Sequence, residues 1–323
     1  MKFRVDDGGA RLDLFLSARF SHVSRSLIMK YLKEGHARLN GGRARPGLFV
    51  QTGDEIELPG WDDAIERIRG GRAEGVPVVA PRRATRQAVS VLYEDDVLLV
   101  VDKPPGLVMH PGKGHEDEGL DRILRERFGA SVRLVHRIDR DTSGVVVAAR
   151  GHPESARRLA LDFKAGAADK SYLALARGVI DPASGVIDGP LLDTKAEGSR
   201  VYVDPHGKPA RTDYETLEAF RAFSWLRVRT RTGRRHQIRA HLAHIGHPLA
   251  VDRVYSKRRR LRLGDLRPDL KVSWKNPVVL ARQPLHAEAI TIRHPVSGED
   301  MTFHAPLPSD LNAALEALRT DGG

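Results

Sequence analysis

The sequence predicts an α+β protein in two parts. Apolar residues recur at helical spacing between residues 12 and 32, while strand-like runs dominate from Val91 onward. Between them lies a stretch rich in Gly, Pro and Arg with no sustained period. The expected boundaries are a small module at 1–60, a linker at 61–89, a large domain at 90–310 and a C-terminal tail at 311–323.

In the first part, "RLDLFLSARF" carries Leu12, Phe15, Leu16 and Phe20 as a helical stripe. Ser24 stands as an N-cap for "RSLIMKYLKE", and Gly35 marks its C-terminal stop. Leu27, Ile28, Tyr31 and Leu32 form the buried face of this second helix, leaving Arg25, Lys30 and Lys33 for solvent or phosphate. "HARLNGGRARPG" signals a hairpin at Asn40-Gly41, with Arg38 on its first strand, and "GDEIELP" closes the unit as a short strand. In the second part, "VLLVVDKP", "GVVVAAR", "SYLALARG" and "FSWLRVRTRTG" read as strands. The last alternates Trp225, Arg227, Arg229 and Arg231 with Leu226, Val228 and Thr230, so one face carries an Arg row that is wet or faces an anion.

Composition narrows the function classes. Of 323 residues, 41 % are hydrophobic, enough for a proper core. No run of eighteen apolar residues occurs, and "MKFRVDDGGARLD" lacks the apolar block of a secretory signal. With no cysteine, disulfides and thiolate chemistry are excluded, and a cytoplasmic location is expected. The net charge of +11 is clustered, which favours binding to a polyanion. Attachment to a membrane surface would need a basic amphipathic helix near a terminus, and none is read.

The chemistry concentrates in "LVHRIDRDTSG", residues 134–144, where one His, two Arg and two Asp precede an apolar strand, Val145–Ala149. Asp139, between Arg137 and Arg140, is the carboxylate its cationic neighbours would keep ionised, fit to act as nucleophile or base. Asp141, beside Thr142 and Ser143, suits a turn-ordering role. Ser143 and His136 do not make a hydrolase, because no G-x-S-x-G elbow surrounds the serine. Four histidines at 236, 241, 244 and 247 raise a zinc hypothesis. No cysteine or acidic residue stands beside them at ligand spacing, and with Ile238, Leu242 and Ile245 as the buried stripe they read as a polar face near the bound polyanion. Tyr172 reads by itself as core packing. Lys170, two residues earlier on the same side of a strand, reads as a phosphate or structural contact.

Two basic helices, an Asn-Gly hairpin and a closing "GDEIEL" resemble the S4 RNA-binding module. "DKPPGLVMHP" (102–111), "HRIDRDTSG" (136–144), "KSYLALARG" (170–178) and "GRRHQIRAHLAHIGHP" (233–248), with "LHAEAITIRHPVSGEDMTFHAPLP" near the end, resemble the RluA-type pseudouridine synthases. The resemblance implies a catalytic domain around a mixed, largely antiparallel sheet that isomerises uridine to pseudouridine in RNA. It puts the catalytic aspartate on Asp139 and sets Tyr172 against the target base. Arg239 becomes the partner of the carboxylate, a guanidinium able to grip it bidentately. Arg137 either pairs with phosphate or fills the space of the extruded base. His236 and Lys170 complete the expected substrate contacts, and Arg25, Lys30, Lys33 and Arg38 those of the S4 module. No metal or organic cofactor is implied. The expected substrate is large-subunit ribosomal RNA, with transfer RNA, or a non-catalytic role in RNA binding or ribosome assembly, as alternatives; a monomer is expected. The chain departs from the pattern at Asp102, where Asn is usual, at "HRID" for "HRLD", and at "PLAVDRVYS", which lacks both glycines of G-D-x-x-Y-G and is followed by the basic run Lys257 to Arg260.

Overall fold

The structure, a computed structural model, describes residues 1–320 apart from 7, 21, 22, 24, 63–88, 112–118, 195–199 and 269–275; the side chains of residues 25–27 and 30 also lie outside the description. Ser24, the side chains of Arg25 and Lys30, and most of the expected linker therefore fall outside the described residues. The chain divides into two compact units, Met1–Val76 and Pro77–Gly323.

In the first unit, helices α1 (Leu12–Arg19) and α2 (Arg25–Lys33) accompany a four-stranded sheet of order β1-β4-β2-β3, formed by Lys2–Arg4, Glu55–Glu57, Arg38–Leu39 and Gly42–Arg43. The helical stripes bury Leu12, Leu16, Ile28, Tyr31 and Leu32 in one core. Asn40 (φ 49°) and Gly41 (φ 77°) both take the left-handed conformation that a two-residue hairpin turn requires. The Asn40 side chain also fastens the turn to β4, donating to Asp54 Oδ1 and accepting from the Glu55 N–H, each at 2.8 Å. Trp61, assigned from sequence to the linker, is instead buried in this core, its ring edge-on to Tyr31. Lys33 and Arg38 are exposed.

The second unit is built on a ten-stranded sheet. Its main path runs β10 (Ser184–Asp188), β13 (Arg211–Ala219), β14 (Phe223–Thr230), β9 (Asp169–Arg177), β17 (Leu285–Arg293), β8 (Ser143–Ala149), β6 (Leu98–Lys103) and β5 (Ser90–Glu94). Strands β18 (Asp300–His304) and β7 (Arg133–Leu134) add to β17 and β8. Every pairing in it is antiparallel except β17–β8, so the sheet is mixed and largely antiparallel. Leu98–Val101 of β6 and Val145–Ala149 of β8 are unbroken apolar runs because both faces are covered. Leu99, Val101, Val146 and Ala148 pack on one side with helix α3 (Leu120–Phe128); Leu98, Val100, Val145 and Val147 pack on the other with Leu159 of α4 (Pro153–Ala165). Two short ribbons, β11–β12 (Leu191–Asp193, Val201–Val203) and β15–β16 (Leu261–Arg262, Val278–Leu280), and the helices α5 (Gln237–His244) and α6 (Leu263–Leu266) complete most of the unit.

The expectation of a C-terminal tail is corrected here. The segment expected as a C-terminal tail forms helix α7 (Ser309–Arg319), whose Leu311, Leu315 and Leu318 are buried at i, i+4, i+7 spacing. Its Asp310 is held by Arg282 through two bonds of 2.6 and 2.7 Å. The Arg row of β14 is wet and faces anions, as expected: Arg229 is exposed, and Arg227 lies opposite Glu215 with its Nε 3.6 Å from Glu288. Trp225, on the same row, is buried. No helix among the described residues is long and apolar enough to cross a membrane.

Candidate active site

The segment of residues 135–142 joins β7 to β8 and is pinned from below. Lys103, fully buried at the end of β6, donates to the carbonyls of Pro104, Leu107 and Arg140, each at 2.9 Å. Burial pushes its ammonium down to about 7. The Gly106 N–H adds a second bond to the Arg140 carbonyl, and Thr142 N–H closes a turn on Asp139 O. His136 accepts the Val147 N–H at 2.8 Å and stacks on Phe163, with centroids 4.5 Å apart; burial lowers it to about 3, so it is neutral. Ile138 enters the core. Gly144 (φ 114°) allows the tightest approach: a Cβ there would lie 2.1 Å from the Ala287 carbonyl, where β8 and β17 pair. With His136 and Ile138 turned inward, Arg137 is exposed and Asp139 lines an open cleft.

Ser143 and His136 are not partners. Ser143 Oγ donates to His286 Nδ1 at 3.0 Å, since His286 Nε2 must donate to the Ala305 carbonyl.

Helix α5 supplies the cation. Arg239, 3 % exposed, donates from Nη1 to Asp139 Oδ2 at 2.7 Å. It also donates to Asp252, from Nε at 2.7 Å and Nη2 at 3.0 Å. The bidentate grip expected on Asp139 is thus made on Asp252, and Asp139 is held by one oxygen. Among the described residues, Oδ1 of Asp139 has no hydrogen-bond partner. Burial opposes the Arg239 charge, but the bonds to Asp252 and the charges of both aspartates outweigh it and raise the guanidinium above its ordinary value. Asp252 is itself fully buried and accepts the Val254 and Tyr255 N–H groups. Its loop closes without the two glycines: Ser256 Oγ accepts the Asp252 N–H, and Lys257 takes the left-handed φ of 55°. Within the basic run, Arg258 pairs with Asp265 at 3.1 Å.

The cavity beside Asp139 has a volume of about 60 Å³ and is lined also by Arg137, Tyr172, His236 and Arg239. Tyr172 lies on β9 opposite Ala287 and Val228. Burial, with the Asp139 charge, raises its phenol well above the ordinary value, so it stays protonated. His236, at φ 54° before α5, has Nε2 4.0 Å from Asp139 Oδ2. Burial pushes it down to about 4 against the pull of Asp139, leaving a neutral ring. Gln237 organises the preceding loop, accepting from Thr232 Oγ1 and the Arg234 N–H while donating to Arg211 O and Thr212 Oγ1. Lys170 is buried and donates to the carbonyls of Arg231 and Thr232. A second cavity of about 330 Å³ opens on the other side of Asp139, towards Arg140, Arg253 and Arg282.

The structure therefore brings Arg137, Asp139, Tyr172, His236 and Arg239 to one cavity, with Lys170 on the same loop's underside. Lys33 and Arg38 belong to the first unit. His241 does not belong to a polar face: it is fully buried, donating from Nε2 to Gly189 O and accepting from Thr212 Oγ1. Among the described residues, no three His, Cys, Asp or Glu side chains converge as a metal site. Asp252, Lys103 and Gln237 were missed from sequence. Asp252 alone had a visible signal, the D-x-x-Y within "PLAVDRVYS".

Comparison with known proteins supplies the context for this geometry. A family model described as RNA pseudouridylate synthase matches residues 97–244, and one described as S4 domain matches residues 10–56. Ribosomal large subunit pseudouridine synthase D of Pasteurella multocida is 34 % identical over 322 residues, spanning 97 % of this chain and 92 % of that protein. The protein of the same name from Xanthomonas campestris pv. campestris is 36 % identical over 318 residues, spanning 97 % and 90 %. Among solved structures, human RNA Pseudouridylate Synthase Domain Containing 1 superposes with a TM-score of 0.56 at 25 % identity, over 75 % of this chain and 98 % of that one. Human RNA Pseudouridylate Synthase Domain Containing 4 shares the fold, with a TM-score of 0.57 at 24 % identity over 71 % and 93 %.

Proposed function

The chain belongs to the RNA pseudouridylate synthase family, and from that premise we propose that it modifies large-subunit ribosomal RNA with Asp139 as its catalytic carboxylate. The reaction cleaves the N1–C1′ bond of uridine, turns the base and joins C5 to C1′. It is an isomerisation, with no redox change and no group transferred in or out. A stacked, paired uridine hides its glycosidic carbon, so the nucleotide must first leave the helix.

One observation carries the assignment: Asp139 stands at the cavity with one oxygen held at 2.7 Å by a buried guanidinium and the other uncommitted among the described residues. The held oxygen orients the carboxylate, and the uncommitted one is free to act on the substrate. Tyr172 offers the flipped base a ring that stacks without reading its edges. Arg137, exposed at the rim, has the reach to occupy the place the base leaves. His236, neutral, contributes a hydrogen-bonding edge without a charge. Lys170 serves from beneath. In the S4 unit, Arg25, Lys30, Lys33 and Arg38 track the RNA backbone, positioning it without specifying chemistry.

Ribosomal rather than transfer RNA is favoured by relatives similar over nearly the whole chain, S4 unit included, that are named for the large ribosomal subunit. A non-catalytic binder would have no use for the Asp139–Arg239–Asp252 arrangement. We read the enzyme as a monomer acting in the cytoplasm.

The test is turnover on separated large-subunit and transfer RNA, followed by mapping of new pseudouridines. Asp139→Asn should abolish product and leave RNA affinity within about threefold, because the carboxylate contributes little to phosphate binding. Measurable residual turnover would move the chemistry elsewhere, and product confined to transfer RNA would overturn the substrate.

A further inference from the structure

A third cavity, of about 250 Å³, adjoins the Asp139–Tyr172 cavity on the side away from Asp252, between α4 and the loop that follows β14. Arg137 lines all three cavities and stands at their junction. The chemistry of this third lobe differs from that of the second. Asp139, Asp141 and Asp252 line the second, whereas among the described residues no carboxylate lines the third. Its charged walls are Arg137, Lys164, Lys170 and Arg234.

Lys170 is the informative member. It is 5 % exposed, yet among the described residues it forms no ion pair. A buried charge ordinarily has a counter-ion, because desolvation alone costs several kcal/mol. An ammonium has three donors, and Lys170 gives two of them to carbonyls at 3.1 and 3.3 Å, leaving one N–H beside the lobe. Gly233 keeps the approach open: a Cβ there would fill the space 4.0 Å from Lys170 Nζ. Burial lowers the ammonium to about 8, so it is still mostly charged at neutral pH. Lys164 is exposed at the C-terminal end of α4, on the cavity's rim.

We propose that this lobe binds the phosphodiester of a nucleotide flanking the flipped uridine, with Lys170 as its buried cation and Lys164 and Arg234 at its mouth. The proposal rests on the RNA-modifying reading of the neighbouring site and deepens it. It gives the RNA strand a direction across the enzyme: the target base at Tyr172 and Asp139, and the adjoining backbone over Gly233 towards α4. Recognition here is of charge and shape, not of base identity.

The experiment uses the full chain and a fluorescein-labelled nonauridylate, with affinity read by anisotropy across a salt series. Removing one cation–phosphate pairing with a single strand flattens the slope of log K against log salt by about 0.7. Lys164→Ala and Lys170→Met should each flatten it by that amount, Lys164→Arg should restore it, and Arg221→Ala, on the β13–β14 turn, should leave it unchanged. On large-subunit ribosomal RNA, Lys164→Ala should raise KM about fivefold with kcat nearly unaltered. If Lys170→Met fails to fold, Lys164→Ala and its Arg rescue decide the matter. An unaltered slope in Lys164→Ala overturns the proposal, as does a KM on ribosomal RNA equal to that of the unaltered enzyme. An unaltered enzyme that makes no pseudouridine in ribosomal RNA, while the oligonucleotide slopes respond, refutes the substrate assignment and leaves the lobe standing.

Discussion

Replacing Asp252 by Asn tests whether the second carboxylate governs the first. Arg239 lies between two aspartates, with contacts of 2.7 and 3.0 Å to Asp252 and one of 2.7 Å to Asp139. In Asp252→Asn, the remaining carbonyl oxygen is wanted at the Oδ1 position, where the Val254 and Tyr255 N–H groups converge. The amide nitrogen then faces Arg239 Nε, donor against donor. The charge-assisted bond from Nε, worth about 1.5–3 kcal/mol, is replaced by a donor–donor clash, and the bond from Nη2 to Oδ1 loses its charged acceptor, so the total falls in the roughly 3–5 kcal/mol cost of breaking a buried pair from one side. In a unit of this size about 1 kcal/mol lowers Tm by roughly 2–4 °C, so a fall on the order of 10 °C is expected. The loss of rate has a separate cause. Repelled at Nε, the guanidinium can tilt to take both oxygens of Asp139 and tie up the one that was free, costing about 100-fold in kcat if the carboxylate is misplaced by an ångström. Thermal melting by circular dichroism and single-turnover product formation measure the two effects independently. A variant with unaltered Tm and unaltered kcat would refute the reasoning.

Three further outcomes follow from the geometry. Lys103 is pushed down from 10.5 to about 7, first by burial and then by Arg282, against the pull of Asp141, Asp139 and Asp102. The unfolded chain therefore binds more protons between those two values, this lysine makes stability rise with pH across that window, and Lys103→Met should flatten the rise in Tm; an identical pH slope in the variant would count against it. Tyr172→Phe should fold normally with partial activity, whereas Tyr172→Ala should lose activity for a modest fall in Tm; an unfolded Ala variant would reduce the ring to packing. Removing residues 1–60 should raise KM on long folded RNA and flatten its salt dependence while sparing the saturating rate on a short stem-loop, and an unaltered salt slope would show that the S4 unit is not the anchor.

Much of this fold was legible because apolar pattern reports burial directly. The unbroken runs of β6 and β8 announced strands covered on both faces, and Asn40-Gly41 announced a turn that only residues tolerant of positive φ can make. The misreadings share a physical reason. Trp61 and the α7 leucines lie beyond segments taken to be complete, and their partners become visible only when distant residues are brought alongside. His241 shows the same limit for a polar residue. Its place on α5 fits a wet face, and only Thr212 and Gly189, from elsewhere in the chain, make it a buried, satisfied ring.

The site carries this further, because residue pattern singled out the carboxylate and family resemblance the guanidinium, but neither said how they share their bonds. Asp139 is a hundred residues from Arg239, and Asp252 only thirteen. The nearer aspartate lies on a loop that turns straight back beneath the first turn of α5, so it can meet the guanidinium along its Nε–Nη2 edge. That leaves the far side of the guanidinium for the carboxylate arriving from β7–β8, which it meets through Nη1. Two-toothed pairing with Asp139 would have been the stronger ion pair and, on the role proposed for Asp139, the poorer catalyst, since it would occupy both carboxylate oxygens. A residue that looked like an incidental member of an irregular loop thus sets how much of Asp139 remains available to the substrate.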